Sequence, residues 1–521
     1  MDYKQESKNR VRELMLKSAI TALTSKRHSS ELLDRKKLKI TFDHFLKLIE
    51  HAIPDEIEFN ELHSHAEAEL REWMEFDACC NTPRKAFELK VLYLCGASPI
   101  NDLKVLLEHG INIHNIWAIT GSSEDSAAAH KQLSDFNLAL KIHEGSLSEF
   151  FETYNEAFDL IYFDACGPFM GGKPSTLSPL LAILERQRMG SKAALITNYS
   201  APPEDGPART RYVNLATAYF HPRYNDIPDV VRKSKLDPAI FALDPDLLKE
   251  FITGKLEPVY SDLITQLTID LATVIVPNLR AFSMPAFLKK HTSGPKAEAI
   301  VTRQTKQDFD ENGLPGDRWL SPGSYPILSF IDRLEQYNAN DPLLHALRAH
   351  GSSFKHLISV SELTKSVVEG NWDIVSPELL AAIRCSWFDL KARITCDLPL
   401  PNLLVNALIG TYGRPYFYNS QLSRRVKYVS HVREMYCDLF VFDQCRSFFD
   451  WFPTVQACSS RFRSTPFQIV ARCLIDRLNW AHFYNTANPF HGAAIAGMGE
   501  TSVAKPQFIP KRQTIKSKEP S

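Results

Sequence analysis

Five apolar runs between residues 88 and 200, each ending in small or polar residues, restrict this chain more than any other feature. They are Lys90 to Cys95, Asn115 to Thr120, Leu138 to His143, Phe158 to Asp164 and Ala193 to Asn198. Between them, Asn101 to His109 and Asp125 to Phe136 repeat their apolar residues at helical spacing. Strand alternating with helix is the pattern of a parallel sheet covered on both faces, because parallel neighbours need a crossover and the crossover helix lands on the sheet. Strand ends near Gly96, Thr120, Gly145, Asp164 and Asn198 fall at the intervals that successive strand–helix units require. Right-handed crossovers bring these ends to one edge, where open sheets of this kind bind ligands. The expected fold class is α/β, a doubly wound and mostly parallel sheet.

At 521 residues the chain exceeds what one core usually organises, since single cores rarely grow beyond about 250 to 300 residues. Residues 1–85 read as an N-terminal helical region, with apolar spacing at Leu14, Leu16, Ile20 and Leu23 and again at Phe42, Phe45, Leu46 and Ile49. Asn81-Thr82-Pro83 breaks that pattern. The α/β core then spans 86–204, and 205–410 reads as a large, mainly helical insertion interrupted by a Gly/Pro/Asp-rich stretch from Ser293 to Tyr325. In 411–495, Arg425 to Ser430 and Met435 to Asp443 are rich in aromatic and branched residues and predict a hairpin. Residues 496–521 carry five basic residues from Lys505 onward and few large apolar ones, which predicts a mobile basic tail.

Charge and cysteine usage narrow the function classes. Sixty Lys and Arg against sixty-one Asp and Glu leave a net charge of -1, so no whole-molecule field draws the chain to nucleic acid or an acidic membrane. The polar N-terminus lacks the apolar core of a signal peptide, and no run reaches the roughly 18 apolar residues of a membrane span. A cytoplasmic location without a membrane partner is therefore expected. The ten cysteines include no C-x-x-C pair, so neither a metal site nor a disulfide framework is expected.

The first strand ends in Leu94-Cys95-Gly96-Ala97-Ser98-Pro99. Glycine there permits a tight turn and close approach of a ligand to the backbone, while Ser98 suits a helix cap and Pro99 a first helical position. The G-x-G-x-x-G fingerprint of dinucleotide sites is absent. The fourth strand carries Asp159-Leu160-Ile161-Tyr162-Phe163-Asp164-Ala165-Cys166-Gly167-Pro168-Phe169.

VLYLCGASP resembles the first motif of class I (Rossmann-like) S-adenosylmethionine-dependent methyltransferases, NIWAIT their second strand, and FDLIYFDACGPF their fourth. The resemblance covers under a quarter of the chain. It implies S-adenosylmethionine as cofactor, with its amino-acid end at Gly96, Ala97 and Ser98, its ribose at the end of the second strand, and Ser146 near its adenine. The family's ribose-binding acid is replaced by Thr120, and the acid of the first motif by Cys95; Glu124 or Asp125 either reaches in from the next helix or complements its dipole. Ser146 has a helix cap as its alternative role. The fourth motif resembles that of amino-methylating enzymes, which makes Asp164 the acceptor that orients an amine, Phe169 a ring that packs on it, and Pro168 part of the substrate wall. Cys166 has a strand-edge position but no helper histidine beside it.

Asn198 and Tyr199 close the fifth strand and either line the substrate side or simply end the strand. Tyr412-Gly413-Arg414-Pro415-Tyr416-Phe417-Tyr418, with Arg424, Arg425 and Lys427, interleaves rings and cations as single-stranded nucleic acid requires, and puts Arg414 among the substrate residues; an aromatic core flank is the alternative. Arg209, Arg211, Arg223 and His221 form a second basic group. Two functions follow: a methyltransferase acting on nucleic acid, or a catalytically degenerate, methyltransferase-like binding or scaffold subunit of a bacterial complex with protein partners. In class I enzymes an antiparallel hairpin often completes the sheet after the fifth strand, so pairing of Arg425 to Asp443 within the main sheet decides whether the helical insertion interrupts the catalytic domain.

Overall fold

The computed structural model describes residues 6–28, 56–171, 176–221, 228–234, 240–241, 244–281, 326–350, 395–396, 413–430, 433–444, 495–496 and 509–516. The second N-terminal periodicity at Phe42 to Ile49, the Gly/Pro/Asp-rich stretch, Tyr412 and Arg223 lie outside the described residues.

Helices α1 (Glu6–Leu23) and α2 (Glu56–Asn81) precede the alternating unit. That unit runs β1 (Val91–Leu94), α3 (Ile100–Glu108), β2 (Ile116–Thr120), α4 (Ser123–Asp135), β3 (Lys141–Glu144), α5 (Leu147–Thr153), β4 (Phe158–Pro168), α6 (Leu177–Glu185) and β5 (Met189–Ser200). Every described element from 206 to 350 is helical, including α7 (Gly206–Phe220), α8 (Pro245–Gly254), α9 (Leu256–Asp270), α10 (Val276–Ala281), α11 (Pro326–Tyr337) and α12 (Pro342–Ala349). Then come β6 (Thr395–Cys396), β7 (Phe417–Tyr418), β8 (Arg424–Ser430), β9 (Arg433–Asp443), β10 (Ile495–Ala496) and β11 (Gln513–Ile515).

The main sheet has the order β11-β8-β9-β5-β4-β1-β2-β3, with β7 also on β9; β6 and β10 form a separate pair. Strands β1 to β5 are mutually parallel, and β9 is antiparallel to both β5 and β8. This is a Rossmann-like, doubly wound, mostly parallel sheet. The hairpin lies inside it: Lys192 to Ser200 pair residue by residue with Asp443 to Met435. A strand late in the chain thus completes the sheet begun before the helical segment.

Alternation along the strands sends side chains into two cores. Val91, Tyr93, Leu160, Tyr162, Ala194, Ile196, Cys437, Leu439 and Val441 meet α1, α3 and α4 on one face. Leu92, Ile161, Phe163, Leu195, Tyr436, Phe440 and Phe442 meet α5 to α12 on the other. Burial on both faces explains why the central strands read as continuous apolar runs. Edge strand β3 is instead polar and half exposed.

One local irregularity ties the helical layer to the hairpin. After α9 the helix makes a π turn over Leu271–Ile275, and the Ala272 carbonyl accepts the Tyr416 backbone N–H at 3.1 Å. Nearby, a Cβ on Gly413 would sit 2.5 Å from the Pro277 carbonyl oxygen, so only glycine allows this approach.

Part of the C-terminal tail is an edge strand rather than free chain. β11 pairs in parallel with β8, and the Arg512 guanidinium behind it is buried against Asp438, Ser261 and Thr265. A basic composition favours solvent only where no buried carboxylate awaits the cation, and Asp438 is 1% exposed.

Candidate active site

The strand order reverses between β1 and β4, and such a reversal leaves a crevice beyond the C-terminal ends of the two strands. Gly96 stands at one lip and Asp164 at the other. Gly96 has φ +52, and a Cβ built on it would meet nothing within 4 Å. Gly121, at the end of β2, is equally open. The turn therefore presents bare backbone to the crevice, with Ala97 exposed and Ser98 half-buried.

Asp164 faces Asn198 across the β4–β5 ladder, and the register of β4 breaks directly after it. Cys166 takes φ +56 in this bulge. The Asp164 carboxylate accepts hydrogen bonds from Asn198 Nδ2 at 2.8 Å and the Cys166 thiol at 2.9 Å, and pairs with Lys8 Nζ at 3.1 Å. Asn198 Nδ2 also donates to the Tyr428 hydroxyl at 2.9 Å. Asn198 is 0% exposed, and its Oδ1 has no partner among the described residues.

Electrostatics fix the protonation states. Burial works to raise the Asp164 pKa, but the Lys8 charge and the hydrogen bonds from Cys166, Asn198 and Lys8 outweigh it and hold the carboxyl below its ordinary value. Burial works to lower Lys8, yet Asp164 holds its ammonium above the usual lysine value. Local desolvation and then the Asp164 charge push the thiol of the exposed Cys166 up to about 12, which suits its role as hydrogen-bond donor to the carboxylate. Cys95, where the first motif usually has an acid, is likewise pushed up to about 12 by burial.

Helix α1 supplies the cation. Its buried stripe of Val11, Met15, Leu16, Ala19 and Ile20 lies on the sheet, and Lys8 and Arg12 continue that stripe toward the crevice. Arg12 pairs with Asp102 in the first turn of α3 at 2.5 Å, both side chains nearly buried. Burial raises Asp102 to about 6 against the opposing pull of Arg12.

Other candidates from the sequence sit differently. Ser98 does not cap α3; Pro99 occupies that position without a side-chain cap. Thr120 is 0% exposed, and its hydroxyl donates to the His143 carbonyl across the β2–β3 ladder. Ser146 caps α5 in a reciprocal capping box with Glu149, the alternative role considered for it. Glu124 and Asp125 lie in the first turn of α4, whose N-cap is Ser122. Pro168 is half-buried, and its carbonyl accepts the Thr176 hydroxyl.

Phe169 and Tyr199 do not join Asp164. Phe169 is 0% exposed and packs edge-on against Tyr199, which is itself in the core under α7 and α9. Adjacent strand residues point to opposite faces, so Asn198 beside Asp164 sends Tyr199 away from it. The basic and aromatic segment is also displaced. Tyr416 and Tyr418 are buried, Arg425 is paired with Asp262, and Lys427 with Glu434. Tyr416 bonds the Met189 carbonyl at the start of β5, which places neighbouring Arg414 at the sheet edge opposite Asp164. Of the second basic group, Arg209 pairs with Glu257 and Arg211 with Asp341.

Two members of the cluster, Lys8 and Tyr428, were not among the sequence candidates. Lys8 did carry a signal: a charge continuing an apolar helical stripe needs a partner on the surface it meets. Tyr428 carried none, since its role depends on the hairpin register. A groove of about 790 Å³ lies elsewhere, between α6 and α12 on the opposite face of the sheet. Among the described residues there is no group of three or more potential metal ligands, and no helix is long and apolar enough to cross a membrane.

No protein-family model matches the chain, and no curated protein sequence matches it. Among solved structures it is similar to an S-adenosylmethionine-dependent methyltransferase from Clostridium acetobutylicum, at 15% identity and TM-score 0.17 over 26% of this chain and 50% of that one. It is similar to an SAH-bound methyltransferase from Podospora anserina, at 16% and 0.18 over 40% and 81%. A third is the Rickettsia typhi protein PKMT2 in complex with AdoHcy, at 12% and 0.20 over 54% and 48%. The chain spans about half the length of the first and third. At these values the likenesses carry no argument, and the fold stands on the strand register itself.

Proposed function

We propose that the chain is an S-adenosylmethionine-dependent methyltransferase whose acceptor is an amine nitrogen. The observation that carries this reading is the ionised Asp164 at the strand-order reversal, opposite the open Gly96 turn and already in contact with an ammonium group. A degenerate, methyltransferase-like binding or scaffold subunit is the second reading, favoured by Thr120 standing fully buried where the family places its ribose-binding acid.

The residues at the crevice suit the cofactor in part of its length. Bare backbone at Gly96 and Gly121 leaves a floor for a flat, extended ligand across the ends of β1 and β2. Ala97 and Ser98 border the amino-acid end. Thr120 spends its hydroxyl on a backbone carbonyl, so sugar hydroxyls fall to Glu124 or Asp125 at the start of α4. Ser146, engaged as a cap, offers adenine its turn rather than a free side chain.

When bound, the cofactor supplies a methyl group already activated as a sulfonium, so little covalent chemistry is asked of the protein. Asp164 accepts a hydrogen bond from the acceptor nitrogen and aims its lone pair. Asn198 fixes the carboxylate, and Tyr428 fixes Asn198. Pro168 lies along the same strand end, while Phe169, Tyr199 and the bulge packing beneath hold β4 in place. Such alignment is the main source of rate in a displacement of this kind. Nucleic acid as acceptor draws on the rings and cations around Arg414; with Tyr416 and Tyr418 in the core, the support at the crevice is for an amine, whatever molecule carries it.

Calorimetry with S-adenosylmethionine tests the reading. Binding is expected, together with a rise in melting temperature, because a ligand at about 100 times its Kd adds about 2.7 kcal/mol to the unfolding free energy. No heat and an unchanged melting temperature at millimolar ligand would remove the enzyme and leave the scaffold.

A further inference from the structure

We propose that Asp164, Cys166, Asn198 and Tyr428 form a seat for an alkylammonium group, which the chain's own Lys8 fills in this structure and which the acceptor must take over from it. This rests on the methyltransferase reading for the identity of the acceptor. It rests on the geometry of the cluster for the seat.

Three observations carry it. Lys8 Nζ lies 3.1 Å from Asp164 Oδ2 and 3.8 Å from Cys166 Sγ, so an ammonium demonstrably fits. Asn198, fully buried and bonded through Nδ2 to both Asp164 and Tyr428, holds the carboxylate in place whichever ammonium occupies it. The Asp164 side chain is only 10% exposed, and a carboxylate so placed is costly unless a cation accompanies it.

The third observation selects the ligand class. Among the described residues the other cation that senses Asp164 is Arg12, and it is committed to Asp102. Displacing Lys8 with a neutral amine, such as the exocyclic group of a nucleobase, would leave Asp164 without a counter-ion. An alkylammonium replaces the charge one for one. The charge selects the ligand at binding; before transfer one N–H proton passes to solvent, and the nitrogen lone pair then forms the N–CH3 bond as the C–S bond breaks and its electrons stay on sulfur, so the positive charge beside Asp164 returns with the methyl group.

Lys8 is anchored through residues on either side of it. Ser7 Oγ donates to the Val429 carbonyl, and Arg12 holds the next turn. Withdrawal of Lys8 therefore needs only a side-chain swing, not release of α1.

The test uses the full chain with Lys8→Met, titrated with N-acetyl-lysine methylamide and, separately, with the uncharged norleucine analogue. Lys8→Met is expected to melt below the wild type and to bind the lysine probe at least about tenfold more tightly, a difference of about 1.4 kcal/mol. The probe should restore part of the lost melting temperature, and the norleucine analogue should restore none. Adding Asp164→Asn should abolish both the deficit and the binding. Equal response to the two probes, or none to the lysine probe, overturns the seat. Where Lys8→Met does not fold, Lys8→Gln replaces it.

S-adenosylmethionine also carries an alkylammonium, so the lysine titration is repeated in saturating S-adenosylhomocysteine. Undiminished binding assigns the seat to the acceptor, and competition overturns that assignment. Lysine-probe binding without any cofactor heat would sink the methyltransferase reading while the seat survives. Cofactor heat without probe binding would do the reverse.

Discussion

Asp164 is a nearly buried acid that stays charged because three groups reach it from separate parts of the chain, Lys8 on α1, Cys166 in the bulge and Asn198 on β5, the last steadied by Tyr428 on β8. Its folded pKa is depressed, so the stability it contributes is present above the unfolded value of about 3.8 and is lost as pH falls through the lower folded value. Lys8 is raised, so its share is fully present below the unfolded value of about 10.5 and is lost as pH rises through the higher folded value. Melting curves of wild type and Asp164→Asn from pH 2.5 to 8 should diverge in favour of wild type up to about pH 5 and stay parallel above it; a constant gap would show that the carboxylate is not held ionised. Asp164→Ala should lower methyl transfer by at least about a hundredfold while leaving cofactor affinity nearly unchanged, since alignment and not binding is removed. The sequence singled out Asp164 and Asn198 because both end apolar runs. It also grouped Phe169 and Tyr199 with them; strand alternation puts Tyr199 on the face opposite Asn198, and Phe169 reaches that same core only beyond the bulge after Asp164, which no local signal announced.

Helix α1 illustrates how an element far from the alternating unit in sequence comes to border its ligand edge. Its apolar character was legible from spacing alone, and so were the cores of the four central parallel strands, because both signals are local, whereas the run expected at Leu138 to His143 became the polar edge strand Lys141–Glu144. What it packs on was not legible, because docking depends on the other elements. The helix is fastened by Arg12–Asp102, a buried pair whose members are separated by most of the N-terminal region. Removing one partner of such a pair typically costs about 3–5 kcal/mol, while replacing both with apolar residues costs little. Arg12→Met should therefore destabilise the protein by about 3–5 kcal/mol in urea unfolding, and Arg12→Met with Asp102→Leu should lie within about 1 kcal/mol of wild type. Near-additive losses in the double variant would mean that the two residues act on stability separately.

At the scale of the molecule, the sheet gathers strands from three distant stretches: 91–200, 417–443 and 513–515. The hairpin was readable from its aromatic and branched residues, and its place between β5 and β11 follows from β9 running antiparallel to its neighbours. The docking of the tail was not readable, because one arginine with a buried carboxylate outweighs a composition that otherwise favours water. Deleting residues 509–521 should leave Asp438 without its cation, with Thr265 still bonded to it, and the β8 edge uncovered, with a loss of about 3–5 kcal/mol in urea unfolding and concentration-dependent association in light scattering. An unchanged, monomeric truncation product would make β11 dispensable. The late position of β9 also imposes a schedule on synthesis. The inner edge of β5 is complete at Ser200, and its partner does not begin until Arg433. At ribosomal rates of about 5–20 residues per second, the nascent chain carries that apolar edge unpaired for roughly ten to fifty seconds. During that interval the open edge is the part of the sheet most exposed to wrong pairing, and a chain ending before Arg433 lacks the strand that covers it.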